Sequence, residues 1–166
     1  MPMDKAKCKS YWAEFVASLG NDDPRRSASP DAFGFGGEGE IADALAALVL
    51  TGKKRATTSL PAEYTSLGEA LPKAGDMSIV LDGTGEPVAI IERTSVDLMP
   101  FDAVTAEFAA REGEGDGSLQ YWREAHTWYF GQVCERLCGK LEDKTPVLCQ
   151  CFKLVWPPAA REAAGV

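Results

Sequence analysis

The chain has 166 residues, 45% of them apolar, with a formal net charge of −8 and a pI near 4.7. The length suits one domain, and a chain of this size buries about two-thirds of its unfolded surface, so no disulfide or metal staple is required. The acidic balance excludes indiscriminate binding to polynucleotide, which needs a broad basic field, but leaves room for a local basic pocket.

Residues 6–19 are expected to form an amphipathic helix, because Cys8, Trp12, Phe15 and Leu19 recur at spacings of three or four and Gly20 can end it. The run NDDPRRSASPDAFGFGGEGE, residues 21–40, is dominated by Pro, Gly, Ser and mixed charge and reads as a loop or tether. A second helix is expected over 41–51, with Ile41, Leu45 and Leu48 as its apolar stripe and Gly52 at the position of a C-cap glycine. Ala56–Leu60 reads as a short Thr-rich strand, and MSIVL (77–81) and VAIIERTSV (88–96) flank the turn sequence DGTGEP as a hairpin.

After Pro100 the pattern gives a short helix over 102–110, the loop REGEGDGS, and a long helix over 119–137 that Ser118 can cap. Leu119, Trp122, His126, Tyr129, Val133 and Leu137 form the expected apolar face of that helix. PVLCQCFKLVW (146–156) reads as a closing strand, and PPAAREAAGV (157–166) as a disordered tail. Strands and helices do not alternate regularly, so an α+β fold with a small, mostly antiparallel sheet or barrel is expected rather than a parallel sheet.

No stretch approaches the roughly 20 apolar residues of a membrane span, and MPMDKAKCKS lacks the apolar core of a signal peptide, so no membrane partner and no export by that route are expected. Five cysteines is an odd count for a disulfide framework, which favours reduced thiols in the cytoplasm. Cys134, Cys138, Cys149 and Cys151 lack the usual spacing of a zinc site, so no metal or other cofactor is expected.

Lys53, Lys54 and Arg55 are the densest basic cluster in this acidic chain. They fit a helix C-terminus, where the macrodipole favours cations, and they equally fit an anion-binding pocket. A helix ending in Gly, with Lys and Thr two and five positions on, resembles the signature of ASCH domains; here the three are Gly52, Lys54 and Thr57. The resemblance extends in order and spacing through FGFGGEGEIADALAALVLTGKKRATTSLPAEY, LPKAGDMSIVLDGTGEPVAIIERTSV and PFDAVTAEFAAREGEGDGSLQYWREAH. It covers Phe33 to Trp156, leaving residues 1–32 as an N-terminal helix and tether.

The resemblance implies a PUA-like fold, a small β-barrel flanked by helices, with RNA or nucleoside recognition as its business. It further implies a hydrolase, acting on single-stranded RNA or on 4-acetylcytidine, with Lys54, Thr57 and Glu112 as the working residues and Glu114 as a rival to Glu112. The alternative is a non-catalytic RNA-binding module in translation or RNA modification. Single-stranded RNA or a modified nucleoside is the expected partner.

Arg55, Ser59, Tyr64, Glu114, Ser118, Trp122, Arg123 and His126 complete the candidate ligand-binding set. Each also has a plain structural reading. Thr57 and Thr58 suit a strand, the acids of REGEGD suit an exposed loop, and His126 and Trp122 share the apolar helix face. Alternation along a strand lets only one of the two threonines join Lys54, and the ASCH motif selects Thr57.

Overall fold

A computed structural model describes residues 3–158; the tail expected from residue 157 lies, from residue 159 onward, outside the described residues. The helices are α1 (Lys5–Ala17), α2 (Gly39–Leu50), α3 (Pro61–Thr65), α4 (Ala106–Glu112) and α5 (Leu119–Leu137). The strands are β1 (Asp31–Phe33), β2 (Ala56–Ser59), β3 (Met77–Leu81), β4 (Pro87–Pro100) and β5 (Pro146–Trp156). The chain divides into two compact units, one made of the chain up to Lys53 with Gly75–Arg93 and the chain from Lys153, the other of Lys54–Ala74 and Thr94–Phe152.

The strands pair in the order β1-β3-β4-β5-β2. β3 and β4 are antiparallel, as are β2 and β5, but β1 runs parallel to β3. The sheet is therefore mixed and open, which corrects the expected small, mostly antiparallel β-barrel. Closure requires the two end strands to hydrogen-bond to each other. Here they are β1 and β2, three and four residues long and each paired on one side only, as short edge strands commonly are.

In the first unit Asp4 caps α1 by accepting from the backbone N–H of Ala6 and Lys7. Cys8 and Phe15 of α1 are buried with Met77, Ile79 and Leu81 of β3 and Ile90 of β4, and Trp12 and Leu19 pack on the same cluster. Burying such side chains contributes roughly 1.5–3 kcal/mol each. The β3–β4 turn is held by Asp82, whose carboxylate accepts from the N–H groups of Thr84 and Glu86 and from the Thr84 hydroxyl.

Strand β1 falls inside the run read as a loop. Its three residues carry no alternating pattern, and a side-chain chain fastens it instead: Arg93 Nη1 donates to Ser78 Oγ at 2.8 Å, and Ser78 donates to the Asp31 carboxylate. Helix α2 also departs from expectation. Its buried face is Ala42, Ala46 and Val49, while Ile41 is 64% exposed. A helix apolar nearly all round carries no clear phase, and the smaller residues allow the closer approach.

The second unit has its own core: Leu60, Phe101, Val104, Ala109, Trp122, Phe130, Val133, Cys134, Val147 and Cys149. Ser118 caps α5 as expected, accepting from Tyr121 N–H. The buried face of α5 is Trp122, Phe130, Val133 and Cys134, and the predicted core members Tyr129 and Leu137 are 45% and 38% exposed. The helix expected over 102–110 is a 3-10 turn at Phe101–Ala103 followed by α4, which Thr105 caps. Helix α3 has no counterpart in the sequence reading. Its Pro61 sits in the first turn, and the Glu63 carboxylate accepts from Leu60 N–H.

Candidate functional site

Lys54 leaves the turn after α2, where Gly52 takes φ +80, and its side chain is almost wholly buried, at 1% exposure. A buried ammonium must be paired or hydrogen-bonded. Nζ donates to the Ala56 carbonyl at 2.9 Å, to Glu112 Oε1 at 3.3 Å and to Glu114 Oε2 at 2.6 Å. Each of the three ammonium hydrogens thus has an acceptor.

Glu112 is the last residue of α4 and is buried. A carboxylate at a helix C-terminus is disfavoured by the macrodipole, and burial disfavours it again. The surroundings offset both. Oε2 accepts from Thr58 Oγ1 at 2.5 Å and from the Trp122 indole N–H at 2.6 Å. His126 Nε2 lies 3.6 Å from the same oxygen. Burial pushes the Glu112 carboxyl up, but the Lys54 ammonium, then the His126 ring, then the Thr58 and Trp122 hydrogen bonds outweigh it and hold it below its ordinary value. Glu112 is therefore anionic at neutral pH.

His126 Nδ1 lies 2.8 Å from the Trp122 carbonyl, an acceptor, so Nδ1 carries a hydrogen and Nε2 is the nitrogen that faces Glu112. The imidazole stacks on the Trp122 indole with centroids 4.2 Å apart.

Strand β2 separates two environments by alternation. Ala56 and Thr58 are buried, and Thr57 and Ser59 are half-buried. Thr58, not Thr57, supplies the hydroxyl on Glu112, so the three predicted working residues do not gather on one side of β2. Thr57 instead pairs across the strands with Gln150 and shares its face with Ser59. There Gln150 Nε2 donates to Ser59 Oγ at 2.8 Å and to the Tyr64 hydroxyl at 3.3 Å, and Tyr64 donates to Ser59 at 3.0 Å. Tyr129 adds a hydroxyl donated to Glu63 at 3.3 Å, and burial followed by the Glu63 charge pushes that phenol up to about 12.

The remaining predicted residues are spread. Glu114 reaches Lys54, whereas Asp116 accepts from Ser118 N–H and Ser118 serves as the α5 cap. Arg123 spends its guanidinium on the carbonyls of Phe101, Asp102 and Val104. The Arg55 side chain is exposed, while its backbone N–H donates to the Arg111 carbonyl. The sequence reading missed Thr58 as the Glu112 partner, and it missed Gln150. The apolar run around it could have signalled Gln150, since a Gln amid PVLCQCF must find partners.

A cleft of about 220 Å³ elsewhere in this unit is lined by Asp97, Glu107, Arg111, Cys149 and Cys151 among others, and by none of the predicted site residues. Among the described residues no group of three or more His, Cys, Asp or Glu side chains could hold a metal ion. No helix among them is long and apolar enough to cross a membrane.

The family model for the ASCH domain matches residues 31–156. The chain belongs to the ASCH-domain family. Its fold is shared with an ASCH domain from Lactobacillus crispatus, 32% identical at a TM-score of 0.84, with 93% of this chain and 96% of that one covered. A protein from Enterococcus faecalis described under the family model DUF984 is 33% identical at a TM-score of 0.79, covering 90% of this chain and 88% of that one. A hypothetical protein named PH0355 shares the fold alone, at 16% identity and a TM-score of 0.51, over 76% of this chain and all of that one. No protein with a curated description matches the chain. Membership in the ASCH family points to a module that binds nucleic acid or nucleosides.

Proposed function

We propose that this ASCH domain binds a nucleoside, free or within a short single-stranded RNA, beside the Lys54–Glu114 ion pair, without turning the ligand over. The observation that carries this reading is the engagement of Lys54. A lysine whose ammonium hydrogens already have three acceptors is a fixed charge rather than a free base. The separation of Thr57 from Glu112 supports the same conclusion, because a nucleophile and its activating partner need mutual hydrogen-bond reach.

A hydrolase acting on single-stranded RNA or on 4-acetylcytidine is the second reading. It draws on the buried Lys54–Glu112 pair, which could divide acid and base roles. Incubating the protein with 4-acetylcytidine and with unstructured RNA, then measuring bound ligand by equilibrium dialysis and products by chromatography, separates the two. The binding reading expects micromolar affinity, a shallow salt dependence from few cations, and intact ligand. Cytidine or cleaved RNA in the products establishes the hydrolase instead, and a failure of both ligands to bind overturns both readings.

A further inference from the structure

The two carboxylates on Lys54 are not equivalent. Glu112 is 3% exposed, and its oxygens also accept from Thr58 and Trp122. Glu114 is 26% exposed, and its contact with Lys54 is the shorter of the two. The backbone that presents Glu114 is built from glycines at positive φ on both sides, Gly113 at +69 and Gly115 at +60. A Cβ on Gly115 would also sit 2.5 Å from the Tyr121 ring, so the loop conformation is confined to glycine there.

The charge balance follows. Glu112 faces Lys54 and His126 in the interior, and Glu114 places its negative charge at the partly open side of the pair. An incoming anion meets that charge in surroundings of reduced dielectric, where the repulsion is larger than in water. To reach Lys54 it must first displace Glu114. An uncharged ligand meets no such repulsion and can lie against the Glu114 carboxylate with the Lys54 pair intact.

The geometry points to Glu114 as a specificity-determining residue: its carboxylate occupies the anion position on Lys54 and selects uncharged nucleosides against nucleotides. This rests on the proposed binding at the same site and narrows its ligand class. Ligand phosphates are kept away from the pair, and a bound RNA segment presents a base rather than its backbone to Glu114.

The test is equilibrium dialysis of cytidine and of its 3′- and 5′-monophosphates against wild type, E114Q and E124Q. E124Q changes the net charge equally at an exposed residue of α5 whose carboxylate accepts from Gln120 of the same helix. Wild type is expected to prefer cytidine over both monophosphates by about tenfold or more. E114Q is expected to abolish or reverse that preference, and E124Q to retain it. In wild type, raising KCl from about 50 mM to about 500 mM should narrow the preference, because screening weakens the repulsion. An unchanged preference in E114Q, or a preference in wild type that salt does not narrow, overturns the inference while leaving nucleoside binding in place. No binding of cytidine or either monophosphate to wild type overturns the binding reading and this inference with it.

Discussion

Two buried cations serve different ends in the two units. Arg93 in the first unit is 6% exposed and donates to Ser78, which in turn holds Asp31. Lys54 in the second is 1% exposed and donates to Glu112 and Glu114. Both chains of contacts end on a carboxylate nearer solvent. Asp31 belongs to a strand whose backbone is paired in register with β3, so its position is fixed twice. Glu114 belongs to a glycine-flanked turn, in which its carbonyl accepts from Gly117 N–H, and its carboxylate is held by Lys54. A buried charge is therefore not by itself a site. The Arg93 chain fastens an edge strand, and the Lys54 pair has a partner that can yield.

Breaking each network measures the difference. Lys54→Met leaves Glu112 buried with no ammonium and should cost about 3–5 kcal/mol in urea unfolding. Adding Glu112→Leu to it should recover much of that loss; no recovery would mean that Lys54 stabilises the unit through packing rather than charge. Arg93→Met should cost about 1.5–3 kcal/mol, the scale of hydrogen bonds from a charged group. That loss should appear as faster amide exchange at residues 31–33, with nucleoside binding retained. Weakened binding in Arg93→Met would erase the functional contrast between the two cations.

The two threonines of β2 sharpen the comparison. Thr58→Val removes a donor from a buried carboxylate and should destabilise by about 1–3 kcal/mol. Thr57→Val should fall within about 0.5 kcal/mol of wild type, as for a position without such a partner, and should leave 4-acetylcytidine binding unchanged. The reverse ranking would return Thr57 to the Glu112 side of the strand.

The smallest expected effect is acid titration. The folded Glu112 carboxyl is held below its ordinary value of 4.5. Its contribution to stability is therefore complete above that value and is lost as pH falls through the folded value. Wild type should lose stability more steeply than Glu112→Gln in urea titrations taken below about pH 4.5. Parallel curves would show that Glu112 titrates normally.

Much of this was legible in the sequence, for physical reasons that also explain the failures. The β3–β4 hairpin, helix α5 and strand β5 carry strong periods with clear turn residues at their ends, and they appear where expected. Lys54 could be singled out because GKKRAT combines a helix-stop glycine with the only dense basic run. The open sheet was not legible, since β1 is a three-residue strand held by Arg93 and Ser78, two residues distant in sequence. The phase of β2 was not legible either. A run of Thr, Thr and Ser is equally polar on both faces, and only packing against Glu112 and Trp122 decides which hydroxyl turns inward.

The central claim is that ligand binds beside the Lys54–Glu114 pair and leaves unchanged. Backbone amide NMR during titration with 4-acetylcytidine, followed by chromatography of the same sample, tests it most directly. The expected result is saturable shifts at Gly113, Glu114 and Gly115, with the ligand recovered intact. Shifts confined to the cleft around Arg111, Cys149 and Cys151, or recovery of cytidine, would contradict it.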